Sequence, residues 1–269
     1  MQSACTACPA VHTNPLADGR ASYHLLAERV AGAQRFLDLG CGDGSLLAVL
    51  ADQGARHLAG VDASETELSR AHARPELAAA ALYLGRAEEL PFADGSFDAV
   101  VSHLALPQMT DVEQVLTETA RVLVPHGRFV TSLAARPEPA SGYDLFLTLA
   151  RQHFAATGPD RTVLAAGPEP CTREDLSDLL TPVGLEVVHW EQFTLGAPGP
   201  PEEIWQSAVE KYCDTSLLEA GELTTLRHKF IAQAPRLAQA GKLAPGERVT
   251  IATTERSAVT APVAAYVWD

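Results

Sequence analysis

Three observations along the chain predict a doubly wound α/β fold with a mostly parallel sheet. Between residues 35 and 133, short apolar runs alternate with stretches of helical spacing, the rhythm of βαβ units. The first apolar run, Arg35-Phe36-Leu37-Asp38-Leu39, breaks into Gly40-Cys41-Gly42-Asp43-Gly44, so that glycines alternate where strand should turn into helix. Phe97 to Ser102 is nearly continuously apolar, as a strand covered on both faces should be.

The elements follow in order. Arg35 to Leu39 is the first strand, and Ser45 to Ala51 has helical spacing. His57 to Val61 is a second strand ending at Asp62, and Ser64-x-x-Glu67 has the form of a capping box opening the next helix. Leu82-Tyr83-Leu84 is a short third strand, Asp94-Gly95 a turn, and Phe97 to Ser102 the fourth strand. Val112 to Leu123 is helical and stops before Pro125, and Arg128 to Leu133 is the fifth strand. Beyond it the rhythm loosens. Tyr143 to Phe154 is a candidate helix, Thr172-x-x-Asp175 opens another, and Gly184 to Phe193 returns as a strand. Pro201 to about Leu243 is mostly helical, while Arg248 to Thr253 and Pro262 to Trp268 have strand character.

Composition removes several classes of function. The 269 residues suit one large domain or a domain with a sizeable insertion, and 46% hydrophobic content is enough for a proper core. A net charge of −14 argues against nucleic acid, whose affinity comes mostly from Lys and Arg counter-charges. The start, MQSACTACPAVHTN, has neither the basic run nor the apolar core of a signal peptide, and LAAAALYL is too short for a bilayer. The expectation is a soluble cytoplasmic protein, monomer or homodimer, with no membrane partner. Five cysteines, Cys5, Cys8, Cys41, Cys171 and Cys213, form no disulfide framework. Cys5-x-x-Cys8 with His12 supplies three ligands where a structural zinc site takes four, so no metal is expected.

The glycine turn has G-x-G-x-G spacing. A dinucleotide site separates its last two glycines by two residues, and a P-loop ends in GK[ST], which is absent. With Asp38 beside the turn, an adenosyl group on a cationic, phosphate-free tail suits the site better. Asp38 to Gly44 resembles the first motif of the class I S-adenosylmethionine-dependent methyltransferases, and the match continues in order to about residue 134. Gly60-Val61-Asp62-Ala63-Ser64 resembles the acidic end of that family's second strand, and Gly85 to Phe92 its third-strand loop, with Arg86 where Asp is usual. Phe97-Asp98-Ala99-Val100-Val101 resembles the fourth strand, and Arg121-Val122-Leu123-Val124-Pro125-His126-Gly127 the RVLKPGG turn, with His126 replacing a glycine. The branch is similar to the quinone-biosynthesis and small-molecule enzymes.

The resemblance implies a seven-stranded, Rossmann-like sheet with helical insertions. It also implies S-adenosyl-L-methionine as cofactor, S-adenosyl-L-homocysteine as product and a small-molecule substrate. Gly40 and Gly42 would pass beneath the methionine and ribose, and Asp38 would help hold the ammonium. Asp62 would accept from both ribose hydroxyls, and Ala63, Ala87 and Glu88 stand in the motifs that surround the adenosyl group. Arg86 either stacks on the adenine or is a solvated surface residue. Tyr23 either covers the methionine end or packs on the sheet. Asp62 also has a plainer reading, as an acid favouring the dipole of the following helix. His103, directly after the fourth strand, is placed as a general base or as a structural histidine. His153, Trp205 and Tyr212 are candidate substrate contacts, although core packing is the default for aromatics at helical spacing. The expected organisation is an amino-terminal arm over 1–18 and a methyltransferase domain over 19–269, with lid segments at about 140–170 and 198–245. Two other classes stay open: a non-methylating enzyme on the same scaffold, and a cofactor-binding module without chemistry.

Overall fold

The computed structural model describes residue 16 and residues 19–157, 171–211 and 218–258. Its strands are β1 (Arg35–Leu39), β2 (His57–Asp62), β3 (Ala81–Leu84), β4 (Phe97–His103), β5 (Leu123–Ala135), β6 (Leu185–Leu195) and β7 (Glu247–Arg256). They form one seven-stranded sheet in the order β3-β2-β1-β4-β5-β7-β6. The pairs β2–β3, β1–β2, β1–β4 and β4–β5 are parallel. β7 runs against β5: Thr254 bonds to Phe129, while Arg248, six residues earlier, reaches Arg136. The sheet is therefore mixed and mostly parallel, flanked by helices, as the sequence predicts.

The helices are α1 (Ser22–Arg29), α2 (Ser45–Asp52), α3 (Glu65–His72), α4 (Val112–Val122), α5 (Gly142–Thr157), α6 (Arg173–Leu180), α7 (Pro201–Lys211) and α8 (Ala220–Gln233). Local chemistry sets their starts. The Ser64 side chain accepts from the Glu67 N–H, and Asp111 from the Gln114 N–H. Thr172 and Asp175 make the complete reciprocal capping box. At Ser64 only half of that motif forms, because the Glu67 carboxylate pairs with Arg70.

β5 begins earlier than its hydrophobic pattern indicates. Phe97 pairs with Leu123 and Ala99 with Arg128, so the Val124-Pro125-His126-Gly127 stretch bulges from the ladder. His126 takes φ 61° there, the left-handed backbone for which glycine is the usual residue. The Pro262–Trp268 strand expected from the sequence lies outside the described residues.

The chain divides into two compact units. One comprises Tyr23–Ala134, Cys171–Glu191 and the described residues from Thr250 onward. Its core includes Leu37, Leu39, Val61, Val100, Leu116 and Phe129, all essentially inaccessible. Full burial of such a side chain contributes about 1.5–3 kcal/mol. The other unit comprises the described parts of 1–22, 135–170 and 192–249. In it α5, α7 and α8 pack on one another around Tyr143, Phe146, Trp205, Leu226 and Phe230. No helix among the described residues is long and apolar enough to cross a membrane.

Candidate cofactor and active site

β1 and β2 lie side by side, with Asp38 opposite Gly60 and Leu39 opposite Val61. That register brings the glycine turn after β1 to the carboxyl end of β2. The Gly40 and Cys41 N–H groups both donate to the Val61 carbonyl, at 2.8 and 3.2 Å. The Gly42 N–H then donates to Asp62 Oδ2, and the Ser64 N–H to Oδ1, both at 2.8 Å. Asp62 thus fastens the two turns together, and each of its oxygens keeps capacity for a further hydrogen bond.

Gly40 and Gly42 serve different ends. A Cβ on Gly40 would lie 2.5 Å from the Ala105 side chain, so this glycine permits close packing against the turn after β4. A Cβ on Gly42 would meet no atom of the described residues beyond its own chain neighbours within 4 Å. Open space stands over Gly42, which is what a ligand passing above the backbone requires.

Asp38 is buried to 1% exposure, and its Oδ1 has no hydrogen-bond partner. Burial, with Asp62 and Asp43 adding repulsion, pushes its carboxyl up to about 8. The neighbouring Asp43 is held below the usual range: burial opposes this, but Ser45 and the Arg74 guanidinium outweigh it. Arg74 Nε also donates to the Asp43 carbonyl at 2.6 Å.

Tyr23 stands at the same place. Burial first, then Asp43 and Asp38, raise its phenol well above the ordinary range, while its bond to Ser45 opposes them. Its ring lies 4.4 Å from that of His103, centroid to centroid, tilted by 43°. His103 is buried at the end of β4, paired with Ser132 of β5. Leu104 follows in a left-handed conformation, φ 54°, and its N–H donates to both the Ser132 carbonyl and Oγ. The structure therefore gathers Tyr23, Asp38, Gly40, Gly42, Asp62 and His103 in one unit at one edge of the sheet.

The loop after β3 completes that edge. Ala87 is buried, whereas the Arg86 side chain is 62% exposed and pairs with Glu88 at 2.8 Å. Ala63, between Asp62 and the Ser64 cap, is exposed. A cavity of about 360 Å³ beside this loop is lined by Tyr83, Leu84, Gly85, Glu89, Leu90 and Pro91.

The remaining candidates belong to the helical unit. Trp205 packs between Phe146 and Phe230, at 5.5 and 5.4 Å. His153 Nε2 lies 3.2 Å from Glu222. Tyr212 lies outside the described residues, as do Cys5, Cys8 and His12. Among the described residues no group of three or more His, Cys, Asp or Glu is placed to hold a metal ion. Ser45, Asp43 and Arg74 join this cluster without being among the candidates the sequence predicts. Asp43 stands within the glycine motif, but Arg74 is 31 residues away and has no local signature.

Residues 37–131 match the family described as "Methyltransferase domain". An uncharacterized methyltransferase of Synechocystis is 37% identical over 110 residues, 40% of this chain and 50% of that protein. A demethylmenaquinone methyltransferase of Bacillus licheniformis is 32% identical over 172 residues, 60% of this chain and 74% of that protein. The chain spans about half the length of the first of these relatives. Among solved structures, the cyclase SpnF superposes with a TM-score of 0.58 at 19% identity, covering 91% of this chain and 87% of that one; at such identity the likeness is one of fold. With the sheet order, the strand-end acids and the relative from Bacillus licheniformis taken together, the chain belongs to the class I S-adenosylmethionine-dependent methyltransferase superfamily.

Proposed function

We propose that the protein methylates a small, largely apolar metabolite, quinone-like or a natural product, with S-adenosyl-L-methionine as donor. The observation that carries this reading is the buried Asp38, its Oδ1 without a hydrogen-bond partner, beside a glycine turn whose Gly42 faces open space. Both features fit the cofactor: an ammonium answers the buried carboxyl, and a ribose can pass over Gly42. The relatives named for demethylmenaquinone support the substrate class, and the −14 charge favours it over RNA. The free thiols of Cys41 and Cys171 suit a cytoplasmic enzyme.

In this reading Asp38 takes the ammonium and Asp62 the ribose hydroxyls. The backbone at Ala87 meets the adenine edge, with Ala63 and the Arg86–Glu88 pair flanking it. Tyr23 covers the methionine end. When bound, the cofactor supplies an electrophilic sulfonium methyl for direct displacement by the substrate nucleophile. The protein aligns the reactants, an effect of about 7–11 kcal/mol, and excludes water. His103 receives the nucleophile's proton or orients it, with Tyr23 fixing its ring. His153, in the helical unit, stays a proposed substrate contact, while Trp205, buried between Phe146 and Phe230, packs that unit.

Calorimetry with S-adenosylhomocysteine tests the cofactor site. Asp62→Ala should bind at least ~10-fold more weakly, since a bond to a charged acceptor contributes about 1.5–3 kcal/mol. Gly42→Ala should lose binding, with circular dichroism checking the fold, because φ 53° strains any side chain at this position. Unchanged affinity in folded Asp62→Ala would overturn the register. Intact-mass analysis after incubation with cofactor and a metabolite pool then looks for a product heavier by one methyl. Binding without any such product would favour a non-methylating reaction on the same scaffold.

A further inference from the structure

The acids around the glycine turn are not equivalent. Asp62 accepts from two backbone N–H groups, and Asp43 from Ser45 and Arg74. Among the described residues the buried Asp38 Oδ1 has no hydrogen-bond partner, and Arg74 is spent on Asp43 and Ser45. What faces Asp38 from the packed elements is Asp62 at the end of β2, Asp43 and the Cys41 thiol in the turn, and the Tyr23 phenol of α1. The His103 imidazole lies against that phenol ring, 4.4 Å between centroids. Among these groups no cation is directed at Asp38. A carboxylate there would be buried, short of hydrogen bonds and beside two further acids, and each condition favours the neutral acid.

We infer, resting on the cofactor reading above, that uptake at this site is a proton-for-ammonium exchange. The free protein holds Asp38 as a carboxylic acid; the ligand's α-ammonium pairs with the carboxylate as the acid proton leaves to solvent. Charge balances, since one buried proton departs for one cation that arrives. Asp38 thereby sets specificity: it rewards an adenosyl ligand that carries an amino-acid tail and gives nothing to one that lacks it. The raised carboxyl, about 8, accords with this exchange and sets its range. Below pH 8 the proton must be displaced, so apparent affinity falls by up to ~10-fold per pH unit.

Titration calorimetry of the full chain with S-adenosylhomocysteine, at pH 6 to 8 in buffers of different protonation enthalpy, tests the inference. Close to one proton should be released at pH 7, with affinity tightening from pH 6 to pH 8. 5′-Methylthioadenosine, which has no ammonium, should bind without release. Asp38→Asn should abolish both the release and the pH slope, and should bring S-adenosylhomocysteine down to the affinity of methylthioadenosine. PH-independent binding of S-adenosylhomocysteine to the native protein, with no proton released, overturns the exchange while leaving the cofactor reading intact. A release kept in Asp38→Asn but lost in His103→Asn would assign the proton to the imidazole and also overturn it. Failure of S-adenosylhomocysteine to bind the native protein would instead remove the cofactor reading, and the exchange with it.

Discussion

Asp38 binds its proton more tightly folded than unfolded, because an exposed aspartate titrates near 3.9. Between about pH 4 and 8 the native state therefore holds the extra proton, and this residue's contribution to stability falls as pH rises through that window. Asp38→Asn, which keeps the shape without the charge, should melt higher than the native protein at pH 8 and about level with it at pH 4. Thermal melts across that range check this; a native advantage at pH 8 would mean that Asp38 has a hidden partner. At His103 the readout is the rate. His103→Ala should lower single-turnover methylation by at least ~100-fold with cofactor affinity nearly unchanged, the usual scale of general-base catalysis. Retention of most of the rate would leave alignment as the driver and point to an amine or already ionised nucleophile. Asp38, Gly42 and Asp62 were legible in the sequence because each lies within a few residues of a strand end, where chain order fixes position. Arg74 and the Tyr23–Ser45 bond were not, since their partners are brought close only by packing.

At the scale of elements, spacing gave the strands and helices of residues 35–133 nearly residue by residue. The exception is instructive. β5 starts at Leu123, five residues before its apolar alternation at Arg128, because the Pro125-His126-Gly127 bulge breaks the period without ending the pairing. The motif nevertheless carried a clue, since His126 stands where the family has glycine and takes a glycine-like backbone, with Glu255 3.0 Å from its ring. In the helical unit, spacing located α5 but could not say which aromatics pack inward. Trp205 and Phe230 meet only once α7 and α8 are side by side. The proposed lid role of these helices predicts slower amide exchange in 140–157 and 198–211 when cofactor product and substrate are added together. Protection confined to the strand ends of the sheet would remove the role.

The sheet order has a consequence for how the whole molecule comes into being. β7 lies between β5 and β6, yet it is the last described strand in the chain. During synthesis β6 is finished more than fifty residues before the neighbour that joins it to the rest of the sheet. Until Glu247–Arg256 emerges from the ribosome, β5 has one side unpaired and β6 has no strand to join. Such open edges are templates for unwanted pairing, and late, sequence-distant contacts are the slow ones in folding. A chain ending at residue 246 should therefore aggregate or stay partly exchanged at β6. Adding a synthetic 247–258 peptide during refolding should recover native circular dichroism, and a truncated chain that folds without it would show that the gap closes by another route. Glu247–Arg256 thus joins the two parts of the described sheet only after every other strand in it has been made.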